Sequence, residues 1–345
     1  MILAGFIGLS IGLIVLLILA NQSPQETVGI NSFSTSVAKI APSVVNIYTY
    51  KSNLASLGSN PITNKATNLG SGVIIDKLGH ILTNHHLVRD AETIIIVLND
   101  GRQAKAELLG TDAATDLATL KIATDMLPTP IIGNSQNLNA GDITLAIGNP
   151  FGLDQTVTMG IISALGRNSI GLNTYENFIQ TDAAINPGNS GGALTNHKGE
   201  LIGISTATYS SRQGAQGIGF AIPIEDALRV MRALIKDGEV VRGYLGIRTQ
   251  KVTPDMAQIL QLPTSKGLLI SAVNMSSPAE AAGIKVGDII LSINNMTTTD
   301  PSKARHLIAA LRPGHKINLI GIRGQQSFHT SINIAKQPNM GTVAY

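Results

Sequence analysis

The chain is 345 residues long and 43% hydrophobic, with 35 glycines, 14 prolines, six Phe, six Tyr and no Trp. This suits two folded, turn-rich, β-leaning domains with cores of Ile, Leu, Val and Ala, and gives no sign of disorder. A formal charge of +3 without a basic run offers nothing to a nucleic-acid partner, and the absence of cysteine excludes disulfides, thiolate metal sites and cysteine catalysis together.

Residues 1–20 carry no charged side chain and are almost wholly Ile, Leu, Val, Ala and Gly. As a helix they would be about 30 Å long, the thickness of a bilayer core, so they are predicted to be a transmembrane anchor. The alternative is a cleaved signal, but the end reads Ile18-Leu-Ala-Asn-Gln22, without an Ala-x-Ala site. No Lys or Arg precedes the apolar stretch and the first after it is Lys39, so charge hardly fixes its orientation. Residues 21–32 are polar, with Pro24 and Gly29, and read as a linker.

From Phe33 to about Ile235, short β-type runs alternate with turn signals. They lie at 72–76, 80–84, 93–98, 118–122, 143–147 and 201–205, and their spacing predicts an antiparallel sandwich or barrel. The Ser-, Asn- and Gly-rich stretch 53–68 is predicted to be an exposed loop. At 224–237 the period becomes helical, with Ala227, Leu228, Met231, Leu234 and Ile235 on one face and Gly238 as the stop. The first domain is therefore placed at 33–240. A second, at 241–338, mixes strand runs (267–273, 288–293) with a helix near 301–311.

Amide hydrolysis by serine needs a nucleophile, a base, a carboxylate that orients the base, and N–H donors for the oxyanion. Gly188-Asn-Ser-Gly-Gly192 can supply Ser190 as nucleophile and the N–H groups of Gly188 and Ser190 as an oxyanion hole. By itself this run is also what a glycine-rich hairpin turn looks like. Upstream, Leu82-Thr-Asn-His-His-Leu-Val88 offers His85 or His86 at a strand end, and alternation does not choose between them. Asp116 stands immediately before an apolar strand, where it would be partly buried. Asp112 competes, but its more polar surroundings suit a turn cap. The order His, Asp, Ser is the chymotrypsin-type order.

The segments Thr83-Asn-His-His, Thr115-Asp-Leu-Ala and Gly188-Asn-Ser-Gly-Gly resemble the triad motifs of the HtrA family, trypsin-like proteases followed by PDZ domains. The resemblance spans Phe33 to about 338. It implies a mainly β fold, a chymotrypsin/trypsin-like double β-barrel followed by one PDZ domain, with a transmembrane helix ahead of it. It selects His86, Asp116 and Ser190 as the catalytic residues. His85 departs from the family pattern and is expected to be a bystander. In trypsin-like folds the residue six before the nucleophile lies at the base of the substrate pocket. Here that is Ala184, which implies cleavage after Val, Ala or Ile.

Arg242-Gly-Tyr-Leu-Gly-Ile247 would pass on its residues alone for an ordinary turn into a strand. It resembles, however, the carboxylate-binding loop of HtrA PDZ domains, which assigns Tyr244, Leu245, Gly246 and Ile247 to peptide binding. Ser277-Pro-Ala-Glu-Ala-Ala-Gly-Ile-Lys-Val-Gly-Asp288 resembles a further PDZ segment of the family.

One anchor, one short loop and one PDZ domain resemble the membrane-anchored, stress-sensing branch of the family. That resemblance implies a homotrimer held by residues 1–20 in a Gram-negative inner membrane, with its catalytic and PDZ domains in the periplasm. C-terminal peptides of unfolded outer-membrane proteins would bind the PDZ domain, and the protein substrate would be a transmembrane anti-sigma factor. Arg167 matches the branch's sensor of PDZ occupancy. The chemistry calls for no metal or cofactor. Two other readings stay open: a degradative quality-control protease, and a non-catalytic PDZ scaffold.

Overall fold

The computed structural model describes residues 32–51, 68–149, 155–168, 170–186, 188–208, 217–259, 261–262 and 264–338. The expected anchor at 1–20, all but the last residue of the linker, and nearly all of the loop at 53–68 lie outside these. Among the described residues no helix is long and apolar enough to cross a membrane.

After a short helix α1 (Ser34–Ile40), strands β1 (Val44–Tyr50), β2 (Asn68–Ile74), β3 (His80–Thr83), β4 (Thr93–Val97), β5 (Gln103–Asp112) and β6 (Leu117–Lys121) close a barrel in the order β1-β2-β3-β6-β5-β4. A second barrel is built from β7 (Ile143–Gly148), β8 (Thr156–Arg167), β9 (Phe178–Thr181), β10 (Ala193–Asn196), β11 (Leu201–Thr208) and β12 (Gly219–Pro223). Its order is β10-β11-β12-β9-β8-β7. Closure leaves no open edge in either sheet. The barrel cores are aliphatic, as a chain so poor in aromatics requires: Ile47, Ile74, Ile81, Ile96 and Leu120 in the first, Ile162, Ile179, Leu194 and Ile202 in the second.

Helix α2 (His85–Val88) is a single turn at the end of β3. Helix α3 (Ile224–Asp237) follows the second barrel, with Glu225 and Asp226 in its first turn and Lys236 in its last, charges that complement the helix dipole. It buries Ile224, Ala227, Val230, Met231 and Leu234. Ile235 is exposed, a correction to the sequence-based face: the stripe runs i, i+3, i+7, i+10 and takes in Val230 instead, which turns Ile235 outward.

The remainder is a sheet in the order β14-β15-β16-β18-β19, formed by β14 (Ile247–Lys251), β15 (Leu268–Val273), β16 (Ile289–Ile293), β18 (Lys316–Arg323) and β19 (Gln326–Asn333). β17 (Met296–Thr297) joins β16, and β13 (Gly243–Tyr244) pairs with β20 (Ala335–Lys336). Helices α4 (Pro254–Ile259), α5 (Pro278–Ala281) and α6 (Pro301–Ala309) interrupt the strands. Asp300 caps α6 by accepting the N–H groups of Ser302 (2.8 Å) and Lys303 (3.2 Å), with Pro301 in the first turn.

Gly238 ends α3 in the left-handed region (φ 70°), its N–H donating to Leu234 O at 3.0 Å. Gly238→Ala should therefore cost about 1 kcal/mol through backbone strain alone, since a Cβ there meets nothing within 4 Å. The expected fall in melting midpoint is about 2–4 °C. An unchanged midpoint in calorimetry would contradict it.

Candidate active site

His86 stands on α2, held by the single turn that leaves β3. Asp116 precedes β6 and adopts φ 59°, a left-handed conformation that Asp tolerates better than most residues. That backbone turn lets its carbonyl accept both His85 N–H (3.1 Å) and Asn84 Nδ2–H (3.0 Å), tying the two loops together. Its carboxylate accepts His86 N–H on Oδ1 (3.0 Å) and the His86 Nδ1–H on Oδ2 (2.8 Å). An imidazole held at Nδ1 in this way turns Nε2 to its other side.

Ser190 comes from the second barrel, in the turn before β10. Thr206 of β11 joins it to the acid: Thr206 Oγ1 donates to Asp116 Oδ2 (2.8 Å), and Thr206 O accepts the Ser190 hydroxyl (3.1 Å). The structure thus brings His86, Asp116 and Ser190 to one place, where the two barrels face each other. The Ser190 hydroxyl rests on a main-chain carbonyl, that of Thr206. Gly191 (φ 81°) lies so near the first barrel that a Cβ would sit 2.1 Å from Ser71 O. Gly188 is buried with φ 102°.

Ala184 is exposed; its carbonyl accepts Thr158 Oγ1–H (2.8 Å) and Asn189 Nδ2–H (3.4 Å). Arg167 closes β8, exposed, with Nε donating to Gln180 Oε1 (2.8 Å). The Nδ1 of His85 is buried without a partner, and burial first of all holds its pKa below 6.5; Arg89 and His86 push the same way, Asp116 and Asp112 oppose. Among the described residues no group of His, Asp and Glu is placed to hold a metal ion.

Asp112 does more than cap its turn. Its side chain does receive the Thr115 hydroxyl (2.5 Å), but it is also buried against Arg242, whose Nη1 reaches Oδ1 at 2.7 Å. The Arg242 guanidinium covers the Tyr175 ring at 4.6 Å, and Tyr175 OH donates to Gln337 Oε1 (2.9 Å). Loop 170–176 is shaped around buried Glu176, whose carboxylate accepts N–H groups from Ile170 (2.7 Å), Gly171 (2.8 Å), Leu172 (2.6 Å) and Asn173 (3.1 Å). Arg305 of α6 donates to Thr174 O (2.8 Å), and a cleft of about 220 Å³ lies between this loop and α6.

At the second site, Gly246 has φ 80° and a Cβ there would meet Ser277 Cβ at 2.2 Å. Leu245 is buried, with its carbonyl bonded to Ala279 N–H (3.0 Å). Gly246 O accepts Asn274 N–H (2.8 Å), and Tyr244 OH accepts Asn274 Nδ2–H (2.6 Å). Ile247 opens β14, the edge strand of its sheet, and α6 packs against β13 and β14.

Comparison with known proteins adds a trypsin-like peptidase domain matching residues 70–204 and a PDZ domain matching 243–334. Serine endoprotease DegS of Salmonella typhimurium is 39% identical over 96% of this chain and 96% of its own. The chain belongs to the HtrA family of serine proteases. A probable periplasmic serine endoprotease, DegP-like, of Pseudomonas putida is 44% identical over 80% of this chain and 57% of its own. A solved HtrA-type protease, AlgW with tripeptide, superposes with TM-score 0.81 at 46% identity, covering 89% of this chain and 98% of that one. This HtrA protease is accordingly a serine endopeptidase, mainly β, with two six-stranded barrels followed by one PDZ domain.

Of the contributors to the site, Thr206 and Ser71 had no part in the sequence-based assignment, and Asn84 entered it only as a member of the Thr83-Asn-His-His motif. Their one signal is a small polar residue inside an apolar strand run or at its end.

Because the fold holds His85 below its ordinary pKa, the unfolded chain binds a proton there first as pH falls. Parent stability should decline relative to His85→Asn from about pH 7 downward, and the difference should be constant above it. Urea unfolding of both proteins across that range checks this; parallel curves throughout would contradict it.

Proposed function

We propose that His86, Asp116 and Ser190 are the catalytic triad and that the N–H groups of Gly188 and Ser190 form the oxyanion hole. The observation that carries this is Thr206 touching both the Ser190 hydroxyl and the Asp116 carboxylate. Ser190 Oγ attacks the scissile carbonyl as its proton passes to His86 Nε2. Asp116 holds the imidazolium that forms, and His86 then protonates the leaving amine. Water repeats the sequence to free the acyl group. Ala184 contributes a small apolar floor to the substrate pocket, favouring Val, Ala or Ile before the cut.

The PDZ segment Tyr244-Leu-Gly-Ile247 takes the C-terminal carboxylate of an extended peptide, which adds as a strand to the open edge of β14. AlgW, a relative of this chain, is described in solved structures with a tripeptide and with a decapeptide. Helix α6 packs against β14 and also holds loop 170–176 through Arg305, while Arg242 grips Asp112 four residues ahead of Asp116. These contacts give peptide binding a route to the catalytic loops. Arg167, the last residue of β8 ahead of that loop, is the residue proposed to sense it.

On this reading the protein is a periplasmic homotrimer anchored by residues 1–20 in the inner membrane. Tails of unfolded outer-membrane proteins switch it on, and it cuts a transmembrane anti-sigma factor. The name of its DegP-like relative, a probable periplasmic serine endoprotease, supports a protease of this compartment. A degradative role of the same fold is the second reading.

Unfolded casein offered to the detergent-purified full chain, with and without a peptide ending in aromatic residues, separates the two. Silence until peptide is added is expected; broad digestion without peptide would overturn the sensor in favour of degradation. Ser190→Ala should abolish cleavage under both conditions, and residual activity would refute the triad. Arg167→Ala should lose about 5- to 150-fold of the activation by peptide while still binding it; full activation would remove Arg167 from the route.

A further inference from the structure

Ser71 of β2 meets the nucleophile loop with nearly every group it has. Its N–H donates to Ser190 O (2.9 Å) and its hydroxyl to Gly188 O (2.6 Å). The same Oγ accepts Asn149 N–H (2.9 Å) from beyond the end of β7, and Ser71 O accepts the Thr83 hydroxyl (2.7 Å). The residue is fully buried, at 0% exposure. Its carbonyl is also the atom against which Gly191 sits too close for a side chain. One serine of the first barrel therefore templates positions 188, 190 and 191 of the second.

An oxyanion hole made by residues 188 and 190 needs their two N–H groups on one point while the N–H between them looks elsewhere. Asn189 N–H is occupied by Asn186 O (2.9 Å), and the carbonyl of the same 188–189 peptide is occupied by the Ser71 hydroxyl. The peptide plane is thus pinned from both ends. Gly188, at φ 102°, has no Cβ to restrict its backbone, so hydrogen bonds must hold it. A buried carbonyl deprived of its donor turns to find another, and here turning would misdirect the hole.

We infer that Ser71 is the positioning residue of the oxyanion hole, fixing the Gly188–Asn189 peptide from the opposite barrel. This rests on Ser190 being the nucleophile. It is tested on the detergent-purified full chain with a Val p-nitroanilide peptide, in the presence of the aromatic-ended peptide, comparing Ser71→Ala, Ser71→Cys and Ser190→Ala. Ser71→Ala should lower kcat about 10- to 100-fold with KM within about threefold. It should weaken a peptidyl boronate, which places a tetrahedral oxygen in the hole, far more than the matching peptide amide. Ser71→Cys, a weaker donor, should recover part of the loss. Parent-level kcat in Ser71→Ala beside an inert Ser190→Ala overturns the inference alone; turnover in Ser190→Ala overturns the triad with it. Should Ser71→Ala not melt cooperatively, Ser71→Cys decides: reduced kcat at unchanged KM supports the inference, and parent kcat overturns it.

Discussion

The Asp116 carboxylate is gripped from both halves of the protease. The first barrel supplies His86 N–H and Nδ1–H; the second supplies the Thr206 hydroxyl. A carboxylate withdrawn this far from water is tolerated only when its oxygens are bonded, so the acid is fully provided for only once the barrels have closed on each other. Its left-handed backbone gathers the His85 N–H and the Asn84 amide onto one carbonyl, which in turn places the imidazole. Full satisfaction of this carboxylate therefore needs both barrels in place.

Much of this was legible in the sequence because it is periodic or because it is chemistry. The β runs and the helix ended by Gly238 survive in three dimensions, and the residues read in His–Asp–Ser order lie together there. What was not legible depends on pairings across long separations. Asp112 looks like a turn cap in a linear reading, and only the arrival of Arg242, 130 positions later, makes it half of a buried ion pair. Thr206 and Ser71 read as tolerated polar residues in apolar strands. Their hydroxyls gain meaning only when the barrels meet. Ile235 shows the opposite error: five apolar residues fit one face on paper, while the true stripe passes one position earlier and leaves it in solvent.

The Asp112–Arg242 pair deserves separate weight because its ends belong to the peptidase barrels and to the start of the PDZ segment. Buried pairs contribute little net stability against an apolar substitute, yet separating one is costly, because each charge left behind is stranded. Tyr175 stacks beneath the guanidinium and reaches Gln337, so the contact has a planar, directional character that a greasy patch lacks. Burial raises the Tyr175 pKa, so the phenol stays a neutral donor further into alkaline pH than an exposed one would. A junction of this kind favours a defined register between its halves over mere adhesion.

The edge strand β14 has a consequence for the protein's life in a crowded compartment. Both barrels are closed, whereas the sheet of β14–β19 is open and has two border strands, β14 and β19, of which β14 carries the proposed peptide site. Such borders are where chains recruit copies of themselves into growing sheets, and natural proteins guard them with charge. Here Arg248, Gln250 and Lys251 stand exposed along the five-residue strand. Two copies approaching edge to edge would set cation against cation, which discourages self-templating without blocking a shorter, anionic guest.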